Sequence, residues 1–417
     1  MHRMADETSI ADRLDELPRL RPVLDAVAAV RDGEGVYLVG GTVRDILLDE
    51  PGFDVDLAVE ADGVRFAEAL ARQIGGRVRS HDAFGTAVVE HGNDERIDVV
   101  TARRERYEAP AALPVVEPGS IDDDLARRDF TINAMAASLG PDDLGRLVDP
   151  FHGRADLDAR AIRVLHDGSF VDDPTRIFRA VRYASRYGFA LDLHTLELAR
   201  SAIDDGFVAR LTPARLRDEL VLLLDEPHAP ESIRQLGKLG ADHAIDPRLA
   251  GGDEAAALFA RLEALRDGYR LAIPSWRLGL AALARGLGDD ARPWLDALTL
   301  RRHDAEAVAA AVSVGPRLAE ELRQARTPAD VVALAEPYPE DAPLMALALV
   351  DTPGLRDYFE RLRNVRLEVD GTDLAGLGLG ESPRVGEVLA ELRRRKLNGE
   401  LDGRASELAA ARELISQ

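Results

Sequence analysis

An α+β fold is what this sequence predicts, with a mixed sheet in the N-terminal third and helices from there to the end. Three observations point to it. Short β-rich runs recur between residues 35 and 100. Among them Phe53-Asp54-Val55-Asp56-Leu57-Ala58-Val59 alternates apolar with acidic residues, the pattern of a strand with one covered face. From about residue 125 the spacing turns helical, with Pro and Gly punctuation at Pro141, Gly188, Pro213, Pro227, Pro274, Pro316, Pro337-Tyr338-Pro339 and Pro353-Gly354.

In chain order, Leu14, Leu17, Leu20, Val23 and Leu24 recur at helical spacing, so residues 1–34 read as one or two amphipathic helices. Val36-Tyr37-Leu38-Val39 reads as a strand that ends in Gly40-Gly41, and Val43 to Leu48 as the start of a helix. Gly63 to Ile74 is helical. Arg77-Val78, Thr86 to Glu90 and Arg96 to Val100 are further strands. Residues 106–121 are rich in Pro and Gly, lack periodicity and read as a mobile loop. Gly371 to Gln417 reads as a small helical tail after a break. The expected domains are 1–140, 141–225, 226–365 and 366–417.

Composition narrows the function. The chain has 417 residues, 53 Lys and Arg against 75 Asp and Glu, and a net charge of −22, which argues against an indiscriminate nucleic-acid coat protein but leaves room for a local basic face. Lys occurs only at Lys238 and Lys396, so Arg carries the positive charge. With no Cys, a disulfide framework, a thiolate metal site and a Cys nucleophile are all excluded. The acidic, amphipathic N-terminus does not resemble a signal peptide, and no apolar run is long enough to span a membrane. A cytoplasmic location is expected.

Three constellations carry chemistry. The first is Gly40-Gly41-Thr42-Val43-Arg44-Asp45 followed by Asp54-x-Asp56. A strand running into Gly-Gly and then a helix lets backbone N–H groups approach phosphate. Asp54 and Asp56, two apart on a strand, point to one face and suit two Mg²⁺ ions beside a triphosphate. Alone, an Asp-x-Asp is usually a solvated strand face and a Gly-Gly usually a turn; in this order and spacing they favour nucleotidyl transfer. Asp98, expected on a neighbouring strand, is a third candidate carboxylate, or else an ordinary exposed strand Asp.

The second constellation is Arg127-Arg128-Asp129-Phe130-Thr131-Ile132-Asn133-Ala134-Met135-Ala136. Two guanidiniums suit a triphosphate or RNA phosphate, and Asp129 suits a ribose hydroxyl. The plainer reading is an Asp helix cap beside solvated arginines. The third is Asp172-Asp173-Pro174-Thr175-Arg176-Ile177-Phe178-Arg179, continuing through Arg182 and Arg186. Asp173 before Pro174 is a helix start, and the arginines fall near one face. As structure this is a capped amphipathic helix with an Arg face. As chemistry, a carboxylate and a guanidinium complement the amine donor and ring-nitrogen acceptor shared by cytosine and adenine, and would reject uracil and guanine.

In this order the motifs resemble those of the class II tRNA nucleotidyltransferases, the CCA-adding enzymes of the polymerase-β superfamily, close relatives of bacterial poly(A) polymerases. Leu147 to Arg154 resembles the family's hinge, Thr212 to Leu220 its neck-closing helix, and Val369 to Leu374 with Leu397 to Leu401 its C-terminal pattern. The resemblance implies a polymerase-β-like head followed by an all-helical neck, body and tail. It implies metal binding by Asp54 and Asp56, and places Gly40, Gly41 and Arg44 near the triphosphate and Arg128 and Asp129 near ribose and phosphates. It makes Asp173 and Arg176, supported by Arg179, the protein template for CTP and ATP. Asn133 and Arg182 are further nucleotide-binding candidates. Body and tail would grip tRNA, with Arg393, Arg394, Arg395 and Lys396 either contacting phosphate or forming a solvated helix end.

The implied activity is addition of CCA to the tRNA 3′ end from CTP and ATP without a nucleic-acid template, by a monomer or homodimer. There are departures from the family pattern. Asp172-Asp173 stands where the family usually has Glu-Asp, Ala214 stands where it usually has Glu, and the 106–121 loop is slightly short. A shortened loop is associated with CC-only addition, so CC-adding and A-adding activities stay open. Poly(A) synthesis is the less expected activity, because that branch of the family usually carries a longer, basic C-terminal extension and this chain ends with Glu413-Leu414-Ile415-Ser416-Gln417. The alternative from another class is a non-catalytic RNA-binding protein, and intact Asp54 and Asp56 argue against it.

Overall fold

The computed structural model describes residues 10–18, 20–50, 54–81, 85–92, 95–106, 109 and 114–416. It divides into two compact units, Met1–Leu211 and Thr212–Gln417.

The first unit opens with helices α1 (Ile10–Asp15) and α2 (Arg21–Val30), then strand β1 (Val36–Val39), helix α3 (Gly41–Leu47), strand β2 (Val55–Val59) and helix α4 (Gly63–Ile74). Arg13 of α1 is buried and donates to the carbonyl of Ile46 at 2.8 Å, which satisfies an end carbonyl of α3. Asp62 caps α4 by accepting from the N–H groups of Val64 and Arg65. Gly75, at φ +71°, ends it. Strands β3 (Arg77–His81), β4 (Thr86–His91) and β5 (Glu95–Thr101) follow, then β6 (Arg103–Arg106), β7 (Val115–Pro118) and α5 (Ile121–Ala126). After these come β8 (Ala136–Ser138), β9 (Leu147–Val148), α6 (Gly153–Asp158), β10 (Ala161–Ile162), α7 (Ser169–Asp172), α8 (Thr175–Tyr187), β11 (Ala190–Leu191) and α9 (Leu193–Asp204).

Seven strands form one mixed sheet in the order β3-β4-β5-β2-β1-β8-β9. β2 and β5 run parallel, and the other neighbours are antiparallel. Leu57, Val89, Ile97 and Val99 share one face and are buried, with α4 packed against β4 and β5. Alternation then sends Asp56 and its register partner Asp98 to the opposite face.

Two details differ from the sequence reading. Val115–Pro118, read as part of a loop, pairs antiparallel with Arg103–Arg106. Residues 107, 108 and 110–113 of that predicted loop lie outside the described residues. Beyond residue 125 the chain is not wholly helical, because β8 and β9 extend the main sheet and β10 pairs in parallel with β11. These strands are two or three residues long, too short to carry an alternation to read.

The second unit is helical among its described residues. It comprises α10 (Pro213–Leu224), α11 (Ala229–Leu239), α12 (Ala241–Ile245), α13 (Asp253–Gly268), α14 (Ser275–Leu283), α15 (Ala291–Ala297), α16 (Arg302–Ala309) and α17 (Gly315–Leu322). These continue into α18 (Pro328–Ala335), α19 (Asp341–Leu349), α20 (Pro353–Glu360), α21 (Gly371–Gly376), α22 (Pro383–Leu397) and α23 (Gly403–Ser416). Arg277 and Asp341 form a buried ion pair. The terminal helices enclose a small core of Val369, Leu374, Val388, Leu392, Ala410 and Ala411. Beside it the buried carboxylate of Glu407 accepts from the backbone N–H of Glu368 and Val369 and from Lys396 Nζ at 2.6 Å.

Candidate active site

A cleft of about 560 Å³ in the first unit is lined by Gly41, Thr42, Arg44, Asp54, Asp56, Asp98, Arg128, Asp129, Asn133, Asp173, Arg176, Arg179 and Arg182, among others. All three sequence constellations therefore meet in one place.

The carboxylate floor comes from β2 and β5. Asp56 and Asp98 are register partners on adjacent parallel strands, and Asp54 lies two residues from Asp56. Burial pushes the Asp56 carboxyl up to about 6, with Asp98 and Asp54 adding to the rise and Arg128 opposing it. Arg96, on the same strand as Asp98, donates to its Oδ1 at 2.9 Å. Among the described residues no group of three or more His, Asp or Glu is arranged to cage a metal. Mg²⁺ is generally held by one or two carboxylates together with substrate phosphates. Asp54 and Asp56 line the cleft together with Asp98, so the donor chemistry present fits such an ion at Asp54 and Asp56.

The wall above is a continuous chain of polar contacts. Arg44, buried on α3, grips Asp45 through Nε and Nη2 at 2.8 and 3.0 Å. It also donates to Asn133 and lies over the rings of Tyr187 and Tyr183, 4.7 and 5.4 Å from their centroids. Asn133 Nδ2 in turn donates to Asp129 Oδ1 at 2.9 Å. Arg179 Nε donates to Asp129 Oδ2 at 2.8 Å, and its Nη2 to the Tyr183 hydroxyl at 2.9 Å. Burial alone would raise the pKa of Asp129, but Arg179 and Asn133 outweigh it and hold the group at about 2. Asp129 is therefore an ionised acceptor fixed in place.

Arg128 is oriented by Asp124, a fully buried carboxylate of α5 that also binds Arg127. Gly40 makes room for it. Its φ of +62° suits glycine, and a Cβ there would come 2.2 Å from Arg128 Nη1. Gly40 thus shapes the cleft, whereas Gly41 lines it.

Asp173 ends α7. Its Oδ1 accepts from the N–H and hydroxyl of Thr175 at 3.0 and 2.6 Å, which starts α8 one residue later than the Asp-Pro pattern suggests. Arg176 is buried and donates to the Ser169 hydroxyl at 2.7 Å and the Arg127 carbonyl at 2.9 Å. A guanidinium has five N–H donors, so these contacts fix its direction without exhausting it. Arg182 lies over the Tyr183 ring at 5.1 Å.

The four basic tail residues are on α22, and each meets a carboxylate. Arg393 forks onto Glu336, Arg394 and Arg395 bind Glu391, and Lys396 binds Glu407 and Glu368.

Sequence reading missed Thr42, Asp124, Ser169 and the Tyr183–Tyr187 pair. Asp124 carries a signal in its spacing, three and four residues before Arg127 and Arg128, which follow the end of α5. Thr42 and Ser169 carry none.

A family model described as the poly A polymerase head domain matches residues 36–163. A relative from Geobacter sulfurreducens, an A-adding tRNA nucleotidyltransferase, is 35% identical over 395 residues, covering 90% of this chain and 44% of the relative. An A-adding tRNA nucleotidyltransferase of Halalkalibacterium halodurans is 40% identical over 259 residues, or 62% of this chain and 60% of the relative. The chain thus spans about half the length of the curated relatives it matches. A solved apo structure of a CCA-adding enzyme superposes with a TM-score of 0.84 at 30% identity, covering 98% of this chain and 99% of the other. With the fold and the motif residues meeting in one cleft, this chain belongs to the family of tRNA nucleotidyltransferases and poly(A) polymerases.

Proposed function

We propose that this chain is a tRNA nucleotidyltransferase that extends the tRNA 3′ end from CTP and ATP. The observation that carries the reading is the meeting of a carboxylate floor, an arginine wall and the Asp173–Arg176 pair in one cleft. The 3′-hydroxyl of the acceptor attacks the α-phosphate, and pyrophosphate leaves. Asp54 and Asp56 hold the divalent cation, Mg²⁺ in this reading, with Asp98 as a third carboxylate beside them. A cation bound there would polarise the attacking hydroxyl and offset charge on the leaving pyrophosphate. Arg44 and Arg128 hold the triphosphate, Asp129 and Asn133 receive the ribose, and Arg179 and Arg182 hold the template helix. Asp173 accepts from the exocyclic amine of cytosine or adenine while Arg176 donates to the adjacent ring nitrogen. Residues 1–140 act as the catalytic head, 141–225 as the base-reading neck, and 226–365 and 366–417 as body and tail on the tRNA.

Two readings of the product share the final adenosine. Complete CCA addition is the wider one. The A-adding activity named for the Geobacter and Halalkalibacterium relatives favours A addition alone.

Extension of a tRNA transcript ending at the discriminator base, beside one ending in CC, separates them at single-nucleotide resolution. Three added nucleotides establish CCA addition, extension of the CC-ending transcript alone establishes A addition, and a stop after two establishes CC addition. No extension of either overturns the proposal. Asp54→Ala or Asp56→Ala should abolish extension while tRNA binding persists; retained activity removes the metal assignment.

A further inference from the structure

We propose that Thr42 is a positioning residue for the transfer reaction, its hydroxyl setting the backbone that aims Asp54 and Asp56. The inference rests on the nucleotidyl-transfer reading. β1 pairs antiparallel with β2 through Val36↔Val59, Tyr37↔Ala58 and Leu38↔Leu57. Continued, that register would set Val39 opposite Asp56 and Gly41 opposite Asp54. Instead the chain turns away at Gly40 and coils into α3, so β2 loses its ladder partner at the two carboxylates.

The Thr42 hydroxyl fills the gap. It accepts from the Asp56 N–H at 2.8 Å and donates to the Asp54 carbonyl at 2.8 Å. The roles are fixed, because an N–H can only donate and a carbonyl can only accept. Thr42 is 1% exposed, so water does not take its place readily. The other edge of β2 is held by β5 through Val55↔Ile97 and Asp56↔Asp98. The chain at Asp56 is thus held from both sides and Asp54 from the Thr42 side, and turning the intervening peptide planes would re-aim both carboxylates at once. Helix propensity does not explain a Thr here, since Ala is intrinsically the better helix former.

Thr42→Ala and Thr42→Ser test this. Both lack the methyl group and differ by the hydroxyl alone. Thr42→Ser should keep kcat within about threefold of the parent, and Thr42→Ala should lose about tenfold or more, with KM for the nucleotide changing much less. Half-saturating Mg²⁺ should rise in Thr42→Ala only. In the absence of turnover, Mn²⁺ binding to the protein with CTP, read by electron paramagnetic resonance, should weaken in Thr42→Ala and not in Thr42→Ser. Equal behaviour of the two variants in kcat and metal binding overturns the inference and assigns any loss to the methyl group. Should Thr42→Ala not fold, Thr42→Val, which keeps the volume and exchanges the hydroxyl for a methyl, is compared with the parent instead. If the parent extends neither transcript, the functional reading fails instead, and Mn²⁺ binding still decides the role of Thr42.

Discussion

Asp129 shows how a single residue keeps its charge while buried. Desolvation favours its neutral form, yet Arg179 and Asn133 hold it ionised, with a pKa of about 2. Its side chain is 9% exposed, so without its partner the carboxylate has little water to fall back on. Removing one partner of such a pair costs more than the pair itself contributes, because the other charge is stranded. Arg179→Ala should therefore destabilise the first unit by roughly 3 kcal/mol. Asp129→Asn, which leaves no stranded carboxylate, should cost less. The double variant should recover part of the Arg179→Ala loss, and urea unfolding of all three closes the cycle. Additive losses would mean that Asp129 and Arg179 are not coupled. Nucleotide affinity should fall in every variant, since Asp129 is the link between the Asn133–Arg44 contacts and α8.

At the scale of an element, the β1–α3 turn is where conformation and chemistry meet. Gly40 and Gly75 both have positive φ, but Gly75 has open space around its missing Cβ while Gly40 faces Arg128. Gly75→Ala should cost about 1 kcal/mol through backbone strain alone and leave activity intact. Gly40→Ala should cost more and also weaken nucleotide binding, by displacing the Arg128 guanidinium. Equal activity in the two variants would show that Arg128 does not need its present position. The same element shows what a sequence exposes. β2 was legible because Asp54, Val55, Asp56 and Leu57 alternate, and α4 because its apolar residues recur every three or four positions between Asp62 and Gly75. β6 was not, because Arg103-Arg104-Glu105-Arg106 has no apolar face to reveal a period. The site was legible where charge and glycine mark it, at Gly40, Asp54, Arg128 and Asp173. It was illegible where one hydroxyl or carboxylate acts across a distance in sequence: Thr42 reaches Asp54 and Asp56, and Ser169 steers Arg176.

Across the whole molecule, the net charge of −22 coexists with a cleft that holds seven arginines beside seven carboxylates. Many of the paired carboxylates have pKa values below their ordinary range, and that gives stability a direction with pH. Asp124, buried beneath Arg127 and Arg128, is lowered because their guanidiniums outweigh the burial penalty. Asp129 is lowered to about 2. A carboxyl whose folded pKa lies below its unfolded value contributes stability above the unfolded pKa, near 3.9, and loses it as pH falls toward the folded pKa. The Asp129 shift of about two units corresponds to roughly 2–3 kcal/mol at neutral pH. From these two groups, thermal stability should change little between pH 8 and pH 5 and fall steeply between about pH 4 and pH 2. Asp129→Asn removes one of them, so its stability should fall less steeply across that acid window than the parent's, even though it starts lower. Calorimetry of the two proteins from pH 7 to pH 2.5 measures the difference. Parallel curves would mean that Asp129 is not held ionised by Arg179 and Asn133 in solution, and the fixed acceptor assigned to the cleft would then have to be given up.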